Sequence, residues 1–244
     1  MRKLLLIIVL TILFATSALA QIFQVDPFLA DSGNGFDDVK GQFSRISGSL
    51  LIPNNLLYGA LAYGSGLGFV FSKESNKFAD KQNVLADKKM EQFNKSWIQI
   101  AIGNRVDVSL SYKKYSKTDG QVPYSWSIGF LYNFFQRKDR YHVNFVLNFG
   151  EIKRVKDYYL KNLFVGGSYV NRSRNADFSL GFGINRTYMK LFPNAHPLYR
   201  KTVISNLYIY HVGLSYHLLR WVSLQASYLN KEENTYSIGF LITL

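Results

Sequence analysis

The sequence contains no cysteine. That excludes disulfides, thiolate nucleophiles, cysteine metal centres and lipid attachment through an N-terminal cysteine. Acidic residues are scarce, 16 against 29 Lys and Arg, for a formal charge of +13. Only 5 prolines interrupt the chain, so long strands are not broken by residues that cannot donate to a ladder. After residue 20 no apolar run is long enough for a membrane-crossing helix.

Aromatic residues are plentiful. The chain holds 17 Tyr and 19 Phe, yet its mean hydropathy is near zero. Many aromatics without an apolar run means that apolar and polar residues are interleaved. A β-barrel wall has this composition when one face meets lipid and the other a polar interior.

The first twenty residues read as an export signal. Arg2 and Lys3 make a basic start, Leu4 to Phe14 an apolar stretch too short to span a bilayer, and Ala18-Leu19-Ala20 a small-residue cleavage site. Cleavage after Ala20 leaves a mature chain of charge +11. Exported chains seldom meet nucleic acid, so none is expected as a partner. Anionic lipid head groups are the expected counterpart of the basic balance.

Period-two alternation then runs through the chain. Tyr236, Ile238, Phe240, Ile242 and Leu244 alternate with Thr235, Ser237, Gly239, Leu241 and Thr243. Phe178, Leu180, Phe182 and Ile184 alternate with Asp177, Ser179, Gly181 and Gly183. Similar segments centre on Leu67, Ile100, Leu110, Phe130, Phe145, Val212 and Leu224, and Gly166-Gly167 blurs one between Leu160 and Val170. The count predicts an all-β, antiparallel up-and-down transmembrane barrel of about ten strands, with 8–12 possible. Its polar face is expected to be Ser, Gly, Asn and Gln throughout.

Connection lengths fit that count. Short stretches at Gly103 to Arg105, Gln136 to Arg140, Asn171 to Ala176 and His217 to Arg220 suit periplasmic turns. Lys73 to Asn94, Ser116 to Val122, Glu151 to Tyr159, Leu191 to Lys201 and Asn230 to Asn234 suit outer loops. Aromatics cluster at strand ends, Tyr112, Tyr124, Trp126, Tyr188, Tyr228 and Tyr236 at one and Phe134, Tyr141, Tyr169, Phe178, Tyr216 and Trp221 at the other, as membrane-interface girdles do.

With its signal peptide, alternating segments and final Tyr236 to Leu244 strand, the chain resembles the small Gram-negative outer-membrane barrels of the OmpA and OmpW groups. The resemblance implies residence in the cell outer membrane, contact with its lipids and lipopolysaccharide, and insertion by the barrel-assembly machinery. The last residue there is usually Phe, whereas here it is Leu244. Residues 21–56, acidic at Asp26, Asp31, Asp37 and Asp38, are expected to form a periplasmic extension or partial plug, and residues 57–244 the barrel.

Motifs for chemistry are sparse. Gly64-Ser65-Gly66-Leu67-Gly68 has its third glycine misplaced for a dinucleotide loop, and no helix pattern follows it. His142, His196, His211 and His217 lack metal-ligand spacing, so neither metal nor cofactor is expected. A lumen polar network of Asp107, His142, Asp177, Arg186 and His211 is expected. A basic, lipopolysaccharide-facing rim is expected from Lys113, Lys114, Lys117, Lys153, Arg154, Lys156 and Lys161. The function these imply is non-enzymatic, a narrow solute channel or a structural or adhesive barrel. The alternative is a hydrolase acting on lipid or peptide at the outer rim, which a converging Ser, His and carboxylate would mark.

Overall fold

The computed structural model describes residues 67–76, 92–102, 105–114, 122, 124–137, 140–154, 158–191, 202–230 and 234–243. The export signal, residues 21–56, Lys117 and Lys156 lie outside them.

Ten strands follow one another: β1 (Leu67–Asn76), β2 (Gln92–Ile102), β3 (Val106–Lys114), β4 (Tyr124–Arg137), β5 (Tyr141–Lys153), β6 (Tyr158–Arg172), β7 (Ala176–Leu191), β8 (Thr202–Leu219), β9 (Val222–Asn230) and β10 (Asn234–Thr243). Each pairs antiparallel with its sequence neighbours, and β1 closes on β10 from Gly68↔Thr243 to Asn76↔Thr235. Closure leaves no unpaired edge, the condition for a sheet in hydrocarbon. Residues 103–105, 138–140, 173–175 and 220–221 connect strands at one end, hereafter the turn end. Residues 77–91, 115–123, 154–157, 192–201 and 231–233 connect them at the other, the loop end.

Burial alternates along the strands with the parity of the sequence. On β8, Tyr208, Tyr210, Val212, Leu214 and Tyr216 are exposed while Ile209, His211 and Ser215 are buried. On β7, Phe178, Leu180, Phe182 and Ile184 are exposed between buried Asp177, Ser179 and Asn185. Each such side chain left in water would forgo about 1.5–3 kcal/mol of burial, so the solvent of this outer wall is hydrocarbon. The fold is a transmembrane β-barrel.

The girdles lie at the edges of that wall. Tyr112–Tyr124 and Tyr228–Tyr236 pair near the loop end, with centroids 5.9 and 5.5 Å apart. Tyr141 stacks on Tyr169 near the turn end at 6.4 Å. From Phe178 to Tyr188 along β7, at about 3.3 Å per residue and a tilt of about 40°, the rise is about 25 Å, the height of a lipid-facing band.

Two β-bulges adjust the turn end. The register shifts between Asn133 and Phe135 on β4, and between His217 and Leu219 on β8. Each shift lets two successive apolar residues face outward, Phe134-Phe135 and Leu218-Leu219, all at least half exposed. Leu218 and Leu219 fall within the stretch His217 to Arg220 expected as a turn; the extra backbone residue of the bulge instead keeps them on β8. The closing seam has an apolar clamp of its own. Phe71, Val222 and Ile242 are buried together, with Phe69, Trp221 and Phe240 packed against them.

The interior differs from an all-polar face. Leu131, Val146, Phe164, Leu207, Ile209 and Leu229 form one inward cluster, none more than 1% exposed. They come from β4, β5, β6, β8 and β9, and β4 and β9 lie five strands apart in a closed ring of ten. The cluster therefore reaches from one wall to the opposite one. Glycines make it possible. Val146, Gly166, Gly183 and Ile209 lie in one cross-strand row, and the Phe164 ring lies over both glycines, so closely that a Cβ on either would collide with it. The blurred alternation at Gly166 is thus the seat of an aromatic ring. Beside it, the outward Gly167 leaves a groove in the outer wall lined by Phe145, Tyr169, Leu180 and Phe182.

Candidate functional site

Polar side chains of the lumen pair across adjacent strands. Gln99 Nε2 donates to Asp107 Oδ2 at 2.7 Å, and Asn133 Nδ2 to His142 Nδ1 at 2.7 Å. Asn144 Nδ2 reaches Ser168 Oγ at 3.1 Å, and Asn162 Nδ2 reaches Asn185 Oδ1 at 2.9 Å. Such bonds satisfy groups that burial would otherwise penalise by about 1–3 kcal/mol each. Asp107, His142, Asp177 and His211 all face inward and are buried. Arg186 is not among them. It is exposed on the outer face of β7 between Ile184 and Tyr188, because it shares their parity.

At the turn end the lumen gathers a different group. Asp177 opens β7, His217 lies near the end of β8, and Ser223 near the start of β9. His217 Nε2 lies 3.1 Å from Asp177 Oδ1, and His217 Nδ1 lies 2.9 Å from Ser223 Oγ. Arg172 Nε stands 3.9 Å from the other Asp177 oxygen. Cross-strand register creates the arrangement: Arg172 faces Asp177, and His217 faces Ser223. Sequence reading placed Asp177 in a lumen network and weighed His217 only as a metal ligand. Hydroxyl, imidazole and carboxylate lie 46 residues apart at their extremes, so spacing could not show them meeting.

The loop end carries the second candidate, on the outer face of β5, β6 and β7. Lys153 Nζ contacts Glu151 Oε2 at 2.7 Å, and the Tyr159 hydroxyl donates to Glu151 Oε1 at 2.6 Å. Lys161 faces Glu151 on one side and Tyr188 on the other. Cations sit against aromatic rings: Arg154 over Tyr124 at 5.6 Å, Lys161 over Tyr159 at 5.4 Å, Arg186 over Tyr188 at 5.5 Å. Lys190, exposed, faces Tyr159 across the β6–β7 pair. At the loop end of these strands, Glu151 is the one acid beside Lys153, Arg154, Lys161, Arg186 and Lys190 among the described residues.

Of the expected basic rim, Lys153, Arg154 and Lys161 come together here. Lys114 is exposed on β3, but Lys113 has the inward parity of Asp107 and Ser109 and pairs with buried Ser125. Arg186 and Lys190 complete the patch. The parity of Arg186 with Phe182 and Ile184 was the signal that could have placed it outside.

No protein-family model and no curated protein matches the sequence. Among solved structures, the chain is similar to the translocator domain of the autotransporter NalP from Neisseria meningitidis, at 9% identity and a TM-score of 0.42, covering 88% of this chain and 99% of that one. It is similar to the KdgM porin at 11% identity and a TM-score of 0.38, over 72% and 99% of the two chains. Ail, the attachment invasion locus protein of Yersinia pestis, matches at 13% identity and a TM-score of 0.32, over 74% and 99%. These likenesses are slight, and what sets this chain in a bilayer is its own apolar outer wall.

Proposed function

We propose that the protein is a sealed outer-membrane barrel that holds lipopolysaccharide against its outer wall through the rim on β5, β6 and β7. The observation that carries this reading is the geometry of that rim. Arg154, Lys161 and Arg186 each lie over a tyrosine ring and Lys153 rests on Glu151, on a face where the apolar band ends. Phosphates of a glycolipid head group would meet preset cations there, while its acyl chains lay along Phe182 and Ile184 below. Placing the turn end in the periplasm and the loop end outside follows the short-turn, long-loop habit of bacterial barrels. It sets this rim in the leaflet where phosphorylated glycolipid resides. The apolar waist supports a structural or adhesive role over conduction of solutes, since water and ions would have to cross a dry layer.

The test is binding of purified, folded barrel to lipopolysaccharide. Replacing Lys161, Arg186 and Lys190 with Gln should weaken it by about 3 kcal/mol, at about 1 kcal/mol per cation near an anionic surface. The salt dependence should flatten with it, because exposed charges are screened over about 10 Å at 0.1 M ionic strength. Unchanged affinity and unchanged salt dependence would leave the rim as hydrated surface.

A further inference from the structure

The rim does not use the group at the opposite mouth, where Ser223, His217 and Asp177 stand in a line. With the Asp177 carboxylate accepting Nε2–H, the imidazole lone pair is left on Nδ1, facing the Ser223 hydroxyl at 2.9 Å. This is the relation of nucleophile, base and orienting carboxylate that acyl transfer requires. Three further features separate it from an ordinary polar seal. The three side chains come from three successive strands and are fixed by backbone pairing on each, His217 also through its own N–H to Asn175 O at 2.8 Å. The side chains of His217 and Asp177 keep 20% and 12% of their surface open, so the line reaches water at the mouth. The bulge beside His217 swings Leu218 and Leu219 outward together, which holds the histidine inward at the barrel rim.

We propose that Ser223 is a nucleophile toward carboxylic esters, with His217 as its base and Asp177 as the positioning residue. Ser223 Oγ attacks the ester carbonyl carbon and its proton passes to His217 Nδ1. As the bond to the alcohol breaks, that proton leaves on the alcohol oxygen, giving an acyl-serine. A water then attacks the acyl carbon and gives its proton to Nδ1, which returns it to Ser223 Oγ as the acid departs. The sum is ester plus water to acid plus alcohol, with no other reactant.

Charge selects the substrate class. Arg174 lies in the turn beside Asp177, and Arg220 lies between His217 and Ser223; both are exposed. Esters carrying a negative group, small enough to enter the mouth from the aqueous side, are the ones this site would favour.

The experiment uses full-length barrel, folded in detergent and checked by heat-modifiable mobility, treated with a biotinylated fluorophosphonate. Wild type should label, and Ser223→Ala should not. His217→Gln should cut the labelling rate by about 100-fold. Asp177→Asn should cut it by about 10-fold while Asp177→Glu, which keeps the charge, recovers most of it, a pattern that a purely structural carboxylate would not produce. A nitrophenyl ester bearing a carboxylate should turn over faster than its neutral analogue, and the preference should shrink when Arg174 and Arg220 are both changed to Gln. Wild-type labelling no faster than that of folded Ser223→Ala overturns the proposal, even where a His217 or Asp177 variant fails to fold. Equal labelling of folded His217→Gln does so as well.

Discussion

Phe164 belongs to the apolar cluster that crosses the barrel interior. It is fully buried, comes from the middle of β6, and lies over two glycines that would otherwise leave a gap in the wall. Truncation to Ala should cost about 3–5 kcal/mol, the usual loss for a buried Phe in a packed site. Urea unfolding in lipid vesicles would measure it. The glycines should be unequal. A Cβ on Gly183 would stand 2.8 Å from Val165 O as well as against the ring, and one on Gly166 2.5 Å from Phe182 O, both backbone atoms that cannot swing away. One on Gly167 would meet only Asn144 O, at 3.3 Å. Gly183→Ala should therefore lose about 1–3 kcal/mol through overpacking, and Gly167→Ala should lose less; similar losses for the two would refute the account of the waist.

Single strands show what alternation can and cannot tell. Parity alone assigns faces, and on β7 it does so correctly from Asp177 to Lys190. Arg186 belongs outside for the same reason as Ile184, and assigning it to the lumen gave chemistry priority over period. The waist was harder to foresee. Leu131 stands between Phe130 and Tyr132, an apolar run in which both faces look alike, and nothing in one strand says that its inward Leu will meet Phe164 and Leu229. Phe134-Phe135 and Leu218-Leu219 read as the ends of alternation, because a bulge leaves no mark except a doublet. The Ser223, His217 and Asp177 line depends on register between strands, which period two does not encode. At this scale the test is charge on one face. Ile184→Arg, in the middle of the outer band, should destabilise the barrel by about 2–4 kcal/mol, falling toward 1 or less for the same change near an interface. Refolding into vesicles would show it, and equal costs at Ile184 and at Tyr188 would mean that the band is not where the girdles put it.

For the whole molecule, closure and filling act together. Ten strands tilted by about 40° enclose a backbone cylinder about 20 Å across, narrow enough for side chains from opposite walls to meet. They do meet, in the cluster of Leu131, Val146, Phe164, Leu207, Ile209 and Leu229. On the proposed reading, a barrel so filled anchors and presents surfaces and does not conduct. Single-channel recording of the purified protein in planar bilayers tests this most directly. The account predicts no stable conductance steps above bare lipid, from wild type, at any polarity. Reproducible, voltage-sustained open channels from the folded wild-type barrel would contradict it.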